Sequence, residues 1–471
     1  MAYTLSVKKL VPFLFILFTV FACKKESFTT SSNARLTTNV DTLHFDTVFT
    51  SLGSTSRLLK VINDNDKGIH VSSVRLAGGA ASPFRINVDG VTGPLVNNID
   101  IGANDSAYVF VTVTINPNAA NLAFVVRDSI EINYNGNTKW VQLDAYGQNA
   151  HFFRNRMIRA NETWIADKPY VILGGLVVDT NATLNVAQSC RIYTHADAAI
   201  IVNGSLQVQG DKYDSTRVIF TGDRLDDPYR NYPANWPGIV FTAISKNNSF
   251  QYAIIKNAYQ ALVVNEPASS GAKLTLNESV VDNAYDVGIL AINSSINARN
   301  VLVSNCGKNV VLAKGGTYNF THCTVAAFSN SYIQHKDPVL LATNYSVQGG
   351  SIFTGNLNAS FTNCIFWGDA GFVNDEVATS KQGSGTFNLA FNNVLWRVQT
   401  TPANVTTSGN VITNQNPSFD SISVADKFYN FRLKDDSPAI NKGSNAGVII
   451  DLDGKPRPFG TLPDLGAYQK R

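Results

Sequence analysis

The residues best suited to chemistry in this chain are crowded between Asp223 and Trp236. Arg224, Asp226, Asp227 and Arg230 put two carboxylates and two guanidiniums beside Tyr229, Tyr232 and Trp236. Carboxylates at such spacing can serve as a general acid and base. A guanidinium orients oxyanions through a planar fork, and aromatic rings give sugars a face to stack on. Arg224, Asp226 and Asp227 are therefore catalytic candidates. Tyr229, Arg230, Tyr232 and Trp236 are candidates for ligand contact. Lys336, within His335-Lys336-Asp337, is a second catalytic candidate. The alternative for the first loop is one that pairs its own charges and folds its aromatics inward, and for the second a plain surface loop.

Other ionisable residues suggest less. Lys256, Glu278, Asp282 and Arg299 are scattered, and solvated charges on an outer face are expected. Asp451-x-Asp453-Gly454 has the opening of a calcium loop, but Leu462 stands where the closing Glu belongs, so calcium is the one cofactor to consider and none is expected. No Cys or His has a ligand partner at metal spacing, so no metal site is assigned. Cys190, Cys306, Cys323 and Cys364 are even in number, which permits disulfides in an oxidising compartment. The net charge of +3 and the absence of a basic run with interleaved aromatics give no case for nucleic acid.

The N-terminus addresses the protein. Lys8-Lys9, an uncharged apolar run from Leu10 to Ala22, and Cys23 form a secretory signal pattern too short to span a bilayer comfortably. The tetrad Val20-Phe21-Ala22-Cys23 resembles a bacterial lipoprotein lipobox. That resemblance implies removal of residues 1–22 and lipidation of Cys23, with a cell-envelope location, an outer-membrane one by expectation, and a membrane as partner. Residues 23–38, polar and aperiodic, read as a flexible tether.

Residues 39–150 carry about seven short alternating strands broken by turn signals such as Asn135-Gly136, which indicates an antiparallel β-sandwich. Leu43-x-Phe45, Lys60-Val61-Ile62-Asn63, Pro83-Phe84-x-Ile86 and Val141-x-Leu143-x-Ala145-Tyr146-Gly147-Gln148 resemble the Hydin-type (choice-of-anchor D) immunoglobulin-like family. The resemblance implies a spacer or adhesion module without catalytic residues.

From 151 to 425 the chain repeats. Segments beginning at Phe250, Leu276, Ala298, Phe320, Phe361 and Phe391 superimpose without gaps, and two consecutive offsets of 22 residues separate Leu276, Ala298 and Phe320. A unit this short, with strands and no helix, fits one turn of a parallel β-helix. Those six residues should form one inward file. Ala253, Ser279, Val301, Cys323, Cys364 and Val394 should form a second, and Ile255, Val281, Val303, Val325, Phe366 and Trp396 a third. Asn257, Asn283 and Asn305 should stack at a corner in left-handed geometry. The largest excess loop falls within 327–357.

The opening turns, with Leu184-Asn-Val186, Leu206-Gln-Val208 and Trp236-Pro-Gly238-Ile239-Val240-Phe241, resemble right-handed parallel β-helices of the pectate-lyase-like superfamily. The tail, with Ser437-Pro438-Ala439-Ile440-Asn441-Lys-Gly443, Asp451-Leu-Asp453-Gly454-Lys-Pro-Arg457-Pro458 and Asp464-Leu-Gly466-Ala467-Tyr468, resembles the choice-of-anchor Q type. That implies that 426–471 forms the last turns and cap, with Asp453-Gly454 as a turn and Arg457 paired to Asp464. A lyase of the superfamily would need a carboxylate cluster with a basic residue, and a glycosidase would need paired carboxylates. Gly-His-Gly and Arg-x-Pro-x-x-Arg are both missing. The expectation is an all-β chain, an immunoglobulin-like sandwich followed by a right-handed parallel β-helix. Its long face would bind polysaccharide or surface proteins, with a polysaccharide lyase or glycosidase as the alternative and a purely structural component as a third.

Overall fold

The structure, a computed structural model, describes residues 27–50, 52–116, 124–369 and 371–471. Cys23 and the signal pattern lie outside them. The chain divides into two compact units, one ending at Asn149 and one beginning at Ala150.

The first unit is a sandwich of two sheets. Strands Phe28–Thr29, Thr42–Phe49, Gly68–Leu76, Leu95–Ile101, Phe124–Tyr134 and Asn137–Gln148 form one, and Leu36–Thr38, Arg57–Asn63, Phe84–Val88, Val91–Gly93 and Asp105–Val113 the other. Period-two burial closes them on each other over Leu59, Val61, Phe84, Val109, Ile130 and Val141. Asn135 and Gly136 both take positive φ, the geometry of a tight hairpin turn. Two expectations need correction. Residues 28–38 are not tether: Ala34 and Leu36 are buried, and both flanking segments pair as strands. The sandwich is also not purely antiparallel, because Thr42–Phe49 runs parallel to Asn137–Gln148.

The second unit is a parallel β-helix. Its 23-stranded sheet winds from His151 to Thr413, each strand pairing in parallel with the equivalent strand of the next turn. The register puts Phe250 on Leu276, then Ala298, Phe320, Phe361 and Phe391, the expected file. Phe320, Phe361 and Phe391 stack with ring centroids 5.1 Å apart at each step. The column from Ile255 to Trp396 is likewise continuous, and both files are buried. Cys190, Cys306, Cys323 and Cys364 are free thiols buried in the unit as small hydrophobes.

Columns of left-handed residues turn the coil at its corners. Asn257, Asn283 and Asn305 have φ of 62°, 54° and 51°, and Asn283 Nδ2 donates to Asn257 Oδ1 at 2.8 Å. A second left-handed column precedes the small-residue file: Tyr252, Glu278, Asn300, His322, Asn363 and Asn393, all buried and all at φ between 45° and 58°. For most L-residues that geometry costs about 1–2 kcal/mol, which is why Asn, able to bond its own backbone, fills half the positions.

Residues beyond Thr413 correct the expected terminal turns. They do not extend the ladder; Phe419–Ser423 and Phe428–Leu433 make their own hairpin. The rest lies as a strap along the side of the coil. Phe419, Phe431, Leu433, Leu452, Leu465 and Ala467 cover the outward residues Leu302, Ala326, Ile365 and Leu395. The strap is tied to the second corner: Asn300 Nδ2 donates to Ile450 O (2.9 Å), Arg457 Nη1 to His322 Nδ1 (2.6 Å) and Asn363 Nδ2 to Ser444 O (2.8 Å).

Candidate functional site

In the Asp223–Trp236 loop, Asp223 pairs with His195 outside it at 2.7 Å, and the other four charges pair with one another. Arg224 holds Asp226 through two bonds of 2.8 and 2.9 Å and lies over the Tyr229 ring at 4.0 Å. Arg230 pairs with Asp227 at 2.7 Å on the surface. Asp226 and Asp227 are thus engaged by neighbours in their own loop, which is the self-paired alternative. Trp236, 1% exposed, belongs to the core and donates to Lys256 O at 2.9 Å, so it is withdrawn as a ligand contact. Tyr229 and Tyr232 stay outside. Tyr232 packs on Tyr332 at 4.7 Å, bridging this loop to the one that carries Lys336.

Lys336 stands where the sequence signal was weakest and the geometry is richest. It lines a groove of about 440 Å³ with Asp337, Tyr332, Tyr259, Tyr285 and Lys308. Tyr259 and Tyr285 are 47% and 51% exposed and stack on successive turns, 5.9 Å apart at 25°. On the third turn the equivalent place is held by Gly307, where a side chain would collide with the main-chain carbonyls of Tyr285 and Asp286 on the turn before. Beside them runs a polar ladder in which Gln260 Nε2 donates to Asp286 Oδ2 (2.7 Å) and Lys308 Nζ lies 3.4 Å from Asp286 Oδ1. The adjacent His335 is not part of the groove lining. It is buried against Glu376, with Nε2 2.9 Å from Oε1, and anchors the loop from beneath.

The tyrosines were missed in the sequence although a signal existed. Asn257-Ala258-Tyr259 and Asn283-Ala284-Tyr285 are the same tripeptide one turn apart, followed by Asn305-Cys306-Gly307. Reading the repeat two residues past each corner Asn finds the exposed pair.

The scattered charges also need correction. Glu278 is fully buried, its Oε1 accepting from Asn300 Nδ2 (3.0 Å) and Arg299 Nε (3.1 Å). Lys256 and Asp282 do share a column, being register partners on successive turns. The Asp451 carboxylate accepts the backbone N–H groups of Asp453, Lys455 and Gln469, while Asp453 pairs with Arg432 at 2.7 Å, so this segment is a closed turn. Arg457 meets the main-chain carbonyl of Asp464 (2.9 Å) rather than its carboxylate. Among the described residues no group of three or more His, Cys, Asp or Glu is placed to hold a metal.

No family model matches the chain, and no curated protein matches it. Several solved structures do. The chain is similar to a family 123 glycoside hydrolase from Clostridium perfringens that hydrolyses glycolipid glycans (13% identity, TM-score 0.18, 24% of this chain and 26% of that one). It is similar to PapD-like domain 7 of human CEP192 (10%, TM-score 0.17, 27% and 92%) and to the E. coli chaperone DraB (14%, TM-score 0.17, 25% and 55%). The chain spans about a quarter of the hydrolase and about half of the chaperone.

Proposed function

We propose that this chain is a cell-envelope glycan-binding protein, held on a membrane through lipid at Cys23, whose β-helix offers the Tyr259–Tyr285 groove to an extracellular polysaccharide. The observation that carries the reading is the exposed, stacked tyrosine pair lining the groove. Side chains this apolar are placed in water at an energetic cost, and two rings one turn apart give successive sugar units equivalent faces. The ladder of Gln260, Asp286 and Lys308 alongside supplies donors and acceptors for hydroxyls.

A second reading has one observation in its favour: Asp286 and Asp337 line the same groove as Lys308 and Lys336, a residue set from which a lyase or glycosidase could be built. Native gel retardation across neutral and acidic polysaccharides, with assay of new reducing or unsaturated ends, separates the two. Retardation without new ends, lost in Tyr285→Ala, is the expected result. New ends that vanish in Asp337→Asn would make the protein an enzyme, and retardation indifferent to Tyr285→Ala would remove the groove from either reading.

A further inference from the structure

On the far side of Tyr332 lies a smaller cavity of about 210 Å³, enclosed by the asparagine corner, the Lys336 loop and the hairpin at 419–433. Tyr332 is a wall of both the groove and this cavity. Its lining holds unusual polar groups. Lys256 and Asp282 are register partners, yet their charged ends do not close an ion pair: the Asp282 carboxylate accepts from Ser304 Oγ at 2.7 Å, from the Asn305 side chain and from the Asn283 backbone N–H, and Lys256 acts on it only through space. The Tyr429 hydroxyl, near the Asn330 amide, is buried and completes no hydrogen bond of normal geometry. A buried group left so is costly unless something else satisfies it.

From this arrangement we infer that the cavity is a subsite for one neutral sugar residue, the terminal unit of the glycan in the groove. The inference rests on the glycan reading above. Volume sets the size of the guest: 210 Å³ is below the roughly 300–1,000 Å³ of drug-sized sites and admits a single ring. The charge balance sets its character. Lys256 and Lys427 face Asp282 and Asp426, so neither an acidic nor a basic ring gains a net advantage. The gap between Lys256 and Asp282 sets its chemistry. An ammonium only donates and a carboxylate only accepts, whereas a sugar hydroxyl does both and satisfies the two at once.

Saturation-transfer NMR on the full chain with glucose, galactose, mannose and N-acetylglucosamine, and with glucuronate and glycine as charged controls, tests this. At least one neutral sugar should show transfer, with affinity falling about tenfold or more in Lys256→Met and in Asp282→Asn, the loss expected for one charge-assisted hydrogen bond. Asp282→Asn retains the acceptor for Ser304, so a melting curve distinguishes lost binding from lost folding; should either variant unfold, the other decides. In the Tyr259→Ala, Tyr285→Ala double variant, which removes sugar contact in the groove, polysaccharide retardation should be abolished and the monosaccharide transfer that remains should still fall with Lys256→Met and with Asp282→Asn. Transfer only from glucuronate or glycine, or transfer unchanged in both cavity variants, overturns the inference. Polysaccharide retardation that persists without any monosaccharide transfer overturns it while leaving the groove reading in place.

Discussion

His322 shows how much one corner residue can decide. It is buried between Arg457 and Asn363, and desolvation, then the neighbouring guanidinium, push its pKa from 6.5 down to about 2. The unfolded chain therefore binds a proton that the folded chain refuses, so stability is lost as pH falls from about 6.5 toward 2. Asn occupies the same place on three other turns and tolerates the left-handed φ of 53°. His322→Asn should keep the fold and flatten the acid limb of stability, as measured by denaturant unfolding at a series of pH values; an unchanged acid limb would reject this assignment. Two aromatic residues make the opposite contrast. Trp236→Ala should cost about 3–5 kcal/mol of stability by opening a cavity in the core. Tyr285→Ala, at an exposed position, should change stability by no more than about 0.5 kcal/mol.

At the scale of elements, the strap is the test of the packing. Leu302, Ile365 and Leu395 point outward and would lie in water without it. Leu465→Ala should cost about 2–5 kcal/mol in unfolding free energy. A truncation before Ser437 should expose the stripe and produce aggregation on size-exclusion chromatography; a monodisperse truncated protein would show that the coil does not need the strap. These elements also mark what the sequence could reveal. The inward files were legible because a parallel coil stacks like on like, so Phe320, Phe361 and Phe391 repeat in type as well as in spacing. The second corner was hidden because its column mixes Tyr, Glu, Asn and His, which share a backbone conformation and no side-chain chemistry. The strap was hidden for a related reason: its apolar residues follow the spacing of the turns they cover, with no period of their own. Of the candidate site, Lys336 was legible; Tyr229 and Tyr232 belong to the neighbouring loop and do not line the groove, and Trp236 was misassigned because an exposed aromatic and a core aromatic look alike in a polar loop.

For the whole molecule, the two units have separate cores, and residues 150–471 expressed alone should unfold cooperatively with the same tyrosine-dependent binding as the full chain. The proposed anchor has its own test: incorporated palmitate should be lost in Cys23→Ala, and its retention would contradict the anchor. The most direct test of the account is calorimetric titration, with the most strongly retarded oligosaccharide, of the wild type and of the Tyr259→Ala, Tyr285→Ala double variant. Two stacking faces removed together should weaken binding by about tenfold or more while the melting temperature stays put. An affinity unchanged in a folded double variant would contradict the claim that this groove is where the protein meets its ligand.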